Sequence, residues 1–591
     1  MRLPNLFATS RGRLAAFFFL YMTEGIPLGF AATAVATQLR RQGVGPAEIG
    51  AFVGSFYLPW AFKWAFGPII DVFASERLGR RRGWILGTQL IMVGTLLSLL
   101  ALKLPDQLAL FTIILLVHNT FAAMQDVAID ALAVNTLKEN ERGTANGMMF
   151  AGANVGQMIG GSGSLFLAGY FGFQSTFFFV SACILAVTAL VVLPLKEAAS
   201  PARIKAAGSA MAAAFAEMRD FSVTAFRSFL GTRGAFAGLA MSLLPPGAMC
   251  LGLALQSNLA VELGMNDDQI AWLNMLSTIC GAGGNLLGGY ISDRWGRRRS
   301  LGIYIALMSL PVLVMMAILQ QHGWIMPMAE GSASRPTVTP FLINAYWAAV
   351  LSYGVFQGLM YSAATALYMD VTNPRVAGTQ FTAYMAMFNL TISYSATWQG
   401  IAIESVGYPK TMLIDAFFGL LFISLLPFTQ RRASDPAGFS DHHASGRARK
   451  LALGLAAVNL LWVPLFANQA LLGAALPIAQ IFYSLIFIGS ALFLLAGGMV
   501  LRESHPVLAR WGKWFAPLLL LMVARNHLDT LAGWLGQTEA TLQSSSAPFF
   551  YAVPVLAAVL LLQLAREHWQ ALAQLDADDT SDADLASRGA V

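Results

Sequence analysis

The sequence predicts an all-α polytopic membrane protein: two pseudo-symmetric bundles of six helices each, followed by about four extra transmembrane helices near the C-terminus. Three observations carry this expectation. Of 591 residues, 57% are hydrophobic and 12% charged, a balance foreign to a water-soluble globular domain. Apolar runs of the roughly 20 residues that a spanning helix needs recur along most of the chain. One turn is also written twice, about two hundred residues apart. Gly67-Pro68-Ile69-Ile70-Asp71 leads into Gly79-Arg80-Arg81-Arg82, and Gly288-Gly289-Tyr290-Ile291-Ser292-Asp293-Arg294 leads into Gly296-Arg297-Arg298-Arg299. Each copy closes one apolar segment and opens another, the mark of a duplicated helical bundle of the kind that moves solutes.

Spans 1 to 6 are expected near 14–38, 49–71, 84–102, 108–135, 143–169 and 173–195, and spans 7 to 12 near 233–258, 269–292, 300–320, 341–369, 376–402 and 410–428. Ala131-Leu132 with Gly143-Thr144 matches Ala366-Leu367 with Gly378-Thr379 at one constant offset, which pairs span 4 with span 10 and Asn135 with Asp370. The domains follow: a first bundle over 1–196, an amphipathic surface linker over 197–232, a second bundle over 233–430 and a polar linker over 431–450. Further spans fill 451–568, and an acidic, disordered tail runs over 569–591. In the added region 451–470, 476–501 and 547–565 read as spans. The segment 513–535 is ambiguous because Arg525, His527 and Asp529 follow its apolar run.

The formal net charge of +6 would suggest nucleic acid in a soluble chain, but here the basic residues concentrate in alternate loops. Arg2, Arg11 and Arg13 precede span 1, Arg77 and Arg80 to Arg82 follow span 2, Lys138 and Arg142 follow span 4, and Lys196, Arg203, Lys205 and Arg219 follow span 6. This bias predicts a cytoplasmic N-terminus, with Arg40 and Arg41 running against it. Met1 to Arg13 enters directly into span 1, which is far longer than a signal core and is expected to stay in the membrane. Cys183, Cys250 and Cys280 lie in apolar segments without metal spacing and read as small apolar fillers. There is no Walker phosphate loop, HExxH or GxSxG, so neither an enzyme nor a cofactor is expected.

Ionisable residues inside a span are costly enough to suggest function. Span 4 carries His118, Asn119, Gln125, Asp126 and Asp130, with Asn119, Asp126 and Asp130 on one helical face. Glu24 in span 1 and Lys63 in span 2 fall at a similar depth, so Glu24, Lys63 and Asp126 can line one cavity and take up a proton with substrate; an inert buried ion-pair network is the other reading. Asp130 is expected to pair with the Arg80 to Arg82 turn, and Asp415 to be interfacial. In the repeated turn, Gly67, Asp71, Gly79, Arg80, Arg81 and Arg82, with Arg142, and Gly288, Asp293, Arg294, Gly296, Arg297 and Arg298 form a candidate conformational gate. Small residues there would let neighbouring helices approach and arginines would bridge to acids, although a basic anchor alone also explains the arginines. Gly152, Gly156 and Gly160 in span 5 offer a surface for close helix packing. Tyr353, Phe356, Gln357 and Tyr361 on span 10, and Asn389, Tyr394, Trp398 and Gln399 on span 11, set flat apolar faces beside hydrogen-bonding groups, which suits a sugar or amphipathic peptide; packing or lipid contact is the more common role of such stripes.

Glu24-Gly25-Ile26-Pro27-Leu28, Phe62-Lys63-Trp64-Ala65-Phe66-Gly67-Pro68 with Asp71, Gly79 to Trp84, and Gln125-Asp126-Val127-Ala128-Ile129-Asp130-Ala131 with Glu141-Arg142-Gly143 together resemble the peptide/acetyl-CoA transporter branch of the major facilitator superfamily, which includes the AmpG-type anhydromuropeptide permeases. The likeness covers about residues 10 to 430, and spans beyond twelve also occur in AmpG-type permeases. It implies a proton-coupled symporter in a bacterial inner membrane, importing an anhydro-sugar with or without peptide; a monomer with no nucleic-acid partner is expected. Import of a siderophore or an acetyl-CoA-like solute, a non-transporting assembly factor on the same scaffold, and an intramembrane enzyme built on Arg525, His527 and Asp529 are the alternatives.

Overall fold

The computed structural model describes residues 5–73, 78–138, 141–197, 209–328, 332, 334–373, 376–430, 441–500, 506–527 and 538–567. Its secondary structure among these is entirely helical. Two compact units emerge, one made of Met1–Met218, Met241–Asp370 and Phe381–Leu426, the other of Arg219–Ala240, Val371–Gln380 and Pro427–Val591.

The first unit holds most of the twelve-span bundle. Among the described residues ten helices are both long and apolar enough to cross a bilayer, and seven of these are spans 1, 3, 4, 6, 8, 9 and 12. The five others differ for reasons written in their residues. Span 2 is two helices, Pro46–Ala61 and Lys63–Val72, because Pro59 removes a backbone donor just before the break. Span 5 runs from Arg142–Met158 through a π-helical turn at Ile159–Gly163 into Ser164–Phe171, and its many glycines with Asn154 and Gln157 dilute its hydropathy. Span 7, expected as one helix, is broken between Arg233–Ser242 and Ala254–Glu262, since Pro245-Pro246-Gly247 cannot continue it. Spans 10 (Pro340–Val371) and 11 (Ala377–Val406) are single helices whose hydropathy is diluted by Tyr, Gln, Ser and Thr.

Glycine seams join the spans. Gly152, Gly156 and Gly160 of span 5 abut the backbone of Phe18, Met22 and Ile26 in span 1, while Gly25 and Gly29 face Ala153 and Gln157 in return, so a Cβ on any of them would strike main chain. Between the halves, Gly50 and Gly54 of span 2 meet Ser393, Ala396, Thr397 and Gly400 of span 11. Phe166 of span 5 packs edge-on to Trp272 of span 8, ring centroids 5.7 Å apart. All these contacts between halves lie toward the end away from the arginine turns, called here the far end.

The second unit has its own core. Helices Asp441–Ala467, Leu476–Val500, Pro506–Leu521 and Glu539–Leu564 gather Trp462, Phe466, Phe487, Leu494, Phe515, Phe550 and Leu561 into one apolar cluster. The first helix begins at Asp441, inside the stretch expected as linker; 431–440 and the tail from 568 lie outside the described residues. The ambiguous segment resolves into a helix ending at Leu521 and a 3₁₀ turn, Met522–His527, with Asp529 outside the described residues. Of the 197–232 linker, Ala210–Gly231 is helical.

Gly156→Leu is expected to lower stability by about 1–3 kcal/mol through overpacking of the span 1 seam. Gly147→Leu, where no atom stands within 4 Å of the added Cβ, is expected to change it little; thermal unfolding in detergent distinguishes the two.

Candidate functional site

The break at Phe62 makes Lys63 the first residue of a new helix, and its Nζ donates to Asp126 Oδ2 at 3.0 Å. Asp126 is nearly covered, its side chain 4% exposed, while the Lys63 side chain keeps 21%. Glu24 lies against Asp126, buried, with one carboxyl oxygen lacking a hydrogen-bond partner. Asp130, one helical turn along span 4, accepts from the Tyr21 hydroxyl. Glu24, Lys63, Asp126 and Asp130 thus share one polar pocket in which three carboxyl groups face a single ammonium, a charge imbalance that leaves room for a proton.

The other span 4 residues are spoken for by packing. Asn119 donates to the Phe56 carbonyl, fastening span 4 to span 2 above the break. Gln125 Nε2 donates to Thr23 at 2.8 Å, and Gln89 and Thr188 extend this chain across spans 3 and 6, with Thr188 donating to Gln89 at 2.7 Å. His118 is buried against Thr95 and the Met92 carbonyl, both at 3.0 Å.

In the second half Tyr353 is buried against the span 7 break, its hydroxyl 3.4 Å from the Met249 carbonyl, and Gln357 donates to that hydroxyl at 3.4 Å. Tyr361 is half-buried, edge-on to Phe388 and close to Tyr57 of span 2. Asn389 is half-buried, whereas Trp398 is fully buried and edge-on to Phe418. Tyr361, Gln357 and Asn389 therefore retain accessible surface that Trp398 lacks.

Asp415 corrects the sequence reading: it is fully buried rather than interfacial. Gln399 Nε2 donates to one of its oxygens and the Cys250 backbone N–H to the other, each at 2.8 Å. The physical reason is the broken span 7, whose freed backbone donors need an acceptor inside the membrane. The prolines at 245 and 246 were the signal that could have pointed to it.

At the arginine-turn end, Asp130 meets Tyr21 instead of the arginines. Arg81 pairs with Asp71, and Glu197 at the end of span 6 accepts from the backbone N–H of Arg81 at 2.8 Å and from that of Arg82. Arg82 also donates to the Leu193 carbonyl at 2.6 Å. In the second copy Arg297 bridges Asp293 and, at 2.5 Å, Asp370 of span 10, while Arg294 lies 3.9 Å over the Tyr290 ring. Gly79 and Gly296 take positive φ, 92° and 90°, which makes the turns possible. Gly67 stands in open space, whereas Gly288 meets Leu359 of span 10 and its carbonyl accepts from the Tyr304 hydroxyl of span 9 at 3.4 Å. Arg80 and Arg298 belong to the same turns, and Arg142 opens the helix of span 5.

At the far end the sequence reading missed the pairs that cross between halves. Arg40, its side chain 7% exposed, pairs with Glu262 of span 7, which also accepts from Tyr408 at 2.7 Å. Arg41 pairs with Asp267 of span 8 at 2.8 Å, and Glu404 of span 11 accepts from the Ala47 N–H at 2.9 Å. The signal was present: Arg40 and Arg41 violate the basic-loop bias because they answer acids on the other half. The three cysteines are free, and no metal-binding cluster occurs among the described residues.

Two six-helix halves, the first of which carries a buried ion-paired cluster, define a secondary membrane transporter rather than an enzyme. The chain belongs to the Major Facilitator Superfamily, whose model matches residues 14–247 and 237–569. It is similar to the "Anhydromuropeptide permease" of Escherichia coli (strain K12), 24% identical over 457 residues that cover 72% of this chain and 84% of the relative. It is also similar to "Putative transporter AmpG 4" of Rickettsia conorii, 26% identical over 314 residues, 51% of this chain and 72% of the relative. Among solved structures, a POT family transporter in complex with 5-aminolevulinic acid superposes with a TM-score of 0.55 at 9% identity, covering 71% of this chain and 96% of that one. A D-xylose-proton symporter does so with a TM-score of 0.51 at 12% identity, covering 70% and 97%. These structures share the fold.

Breaking a buried ion pair costs about 3–5 kcal/mol. Arg40→Ala is therefore expected to loosen far-end closure, raising several-fold the labelling of a cysteine at Asn389 by an impermeant maleimide from that side, in a background lacking the native cysteines. At the opposite end Arg13 donates to Glu141 at 2.5 and 3.0 Å, and with help from Ser10 holds the Glu141 carboxyl at about 2. A depressed pKa adds stability above the unfolded value, about 4.3, and loses it as pH falls toward 2. The melting-temperature gap between the wild type and Arg13→Ala is expected to be full at pH 7 and to close toward pH 2.

Proposed function

We propose that the protein is a proton-coupled importer of a muropeptide-like solute, an anhydro-sugar with or without peptide, carried from the outer side of a bacterial inner membrane to the cytoplasm. The observation that carries the coupling is the pocket of Glu24, Asp126 and Asp130 around Lys63. Proton entry at Glu24 or Asp126 relaxes the hold on Lys63, so that substrate and proton bind and leave together. The similarity to an anhydromuropeptide permease supports the solute class. The sugar faces suit Tyr361 and its neighbours Tyr57 and Phe388, with Gln357 and Asn389 orienting hydroxyls. A polyphosphate such as acetyl-CoA is a poor match to a pocket with one lysine and three carboxyls. The basic loops favour a cytoplasmic N-terminus, which makes the far end the outer one, and the protein acts as a monomer.

On this reading Arg40–Glu262 and Arg41–Asp267 close the outer face while cargo leaves inward. The arginine turns brace each half as a rigid body. Bundles at 1–196 and 233–430, joined through 197–232, rock about the pocket, and the added spans beyond 451 stay with the second unit.

The test is uptake of labelled N-acetylglucosaminyl-anhydromuramic acid into proteoliposomes, with and without an imposed proton gradient and with siderophore and CoA competitors. Accumulation is expected only with the gradient, and Asp126→Asn is expected to cut it at least about tenfold, as loss of a buried charge partner does. Accumulation indifferent to the gradient and to Asp126→Asn, or none at all, overturns the proposal.

A further inference from the structure

Among its described residues the second unit leaves one buried charged side chain without a hydrogen-bond acceptor on two of its nitrogens. Arg525 sits in the 3₁₀ turn Met522–His527 and is 7% exposed, yet its Nε and Nη1 are buried with no hydrogen-bond partner. Its guanidinium carbon stands 4.0 Å from the centroid of Phe466, 5.2 Å from that of Trp462 and 6.0 Å from that of Phe550. The aromatic faces compensate part of the lost hydration of the cation, but a face-on contact leaves the N–H edge of the guanidinium unpaired. Among the described residues no carboxylate pairs with Arg525. Trp462 adds a second buried donor without an acceptor, its Nε1.

Unpaired donors of this kind, on a buried cation in an apolar cage, are among the costliest groups to leave in a fold. What is missing is an acceptor with at least two oxygens and a negative charge, and the planar fork of arginine matches a phosphate or carboxylate edge with two parallel hydrogen bonds. The rings of Trp462, Phe466, Phe550 and Tyr551 would then cover apolar surface beside the charged group, Tyr551 lying edge-on to Phe466 at 4.7 Å.

We propose that Arg525 and Trp462 form an oxyanion-binding site in the added helices, which takes a phosphate group carried either by a membrane lipid headgroup or by a soluble phosphate. The site is independent of the transport pocket, and its test reads binding alone. The purified full chain in detergent is titrated with phosphatidylglycerol, with diacylglycerol as a lipid of the same tails lacking the phosphate, and with inorganic phosphate. Native mass spectrometry counts bound lipid, and thermal unfolding reports stabilisation.

The wild type is expected to retain one phosphatidylglycerol saturably and no diacylglycerol. Arg525→Met is expected to weaken that binding about tenfold or more, as loss of charge-assisted hydrogen bonds does, and Trp462→Phe to weaken it less while keeping the ring. Stabilisation by inorganic phosphate that disappears in the same variants identifies a soluble source instead. A wild type that binds phosphatidylglycerol no better than diacylglycerol and ignores phosphate overturns the proposal. So do folded variants that bind as the wild type does. If Arg525→Met does not fold, the wild-type titrations and Trp462→Phe decide.

Discussion

An ammonium group inside a membrane bundle must find a negative partner, and the contact between Lys63 and Asp126 is the constraint around which this protein is arranged. Span 2 breaks at Phe62, which puts Lys63 at the head of a new helix level with the acidic face of span 4. Asn119 then ties span 4 to the Phe56 carbonyl on the other side of that break, so the kink and the ion pair fix one another. Glu24 and Asp130 complete a pocket with more negative than positive groups. The constant offset that pairs the two halves sets Tyr361 where Asp126 stands and Thr365 where Asp130 stands. At these equivalent positions the first half carries carboxylates and the second a tyrosine and a threonine.

The two ends of the bundle use charge differently. At the arginine turns, Arg81 with Asp71 and Arg297 with Asp370 tie helices within one half. At the far end, Arg40 with Glu262 and Arg41 with Asp267 tie one half to the other. A contact inside a half is preserved when halves move as bodies; a contact between halves must be made and broken. The glycine seams follow the same division, with spans 1 and 5 locked inside the first half and Gly50 and Gly54 meeting Gly400 and its neighbours across the boundary. Backbone-to-backbone approach gives dispersion contact without bulky side chains to interlock, so such a boundary can part without large side-chain rearrangement.

The repeated turn, the twelve spans and the ionisable stripe on span 4 were legible in the sequence because each is a local pattern: helical period, bilayer length and the rarity of charge in apolar segments. The residues around Lys63 and the 125–131 run carry the family resemblance in the sequence alone. The partners were not legible. Asp415 looks interfacial from its place near a helix start, yet the broken span 7 encloses it; Arg40 and Arg41 look like exceptions to a topology rule, yet each answers an acid more than two hundred residues away. Gln125 and Asp126 are adjacent in the chain and face different neighbours, one the Thr23 network and the other Lys63.

By itself, then, the sequence determined that the chain spans a membrane as a duplicated bundle and which residues are too costly to be there without purpose, since burial energetics and helix periodicity act residue by residue. Only the tertiary structure decided which charges meet, where helices break, and that an arginine in the added unit is set against aromatic faces with two donors that find no acceptor among the described residues. Pairing depends on the register of helices far apart in sequence, and on prolines and glycines whose effect is felt by the neighbour they face.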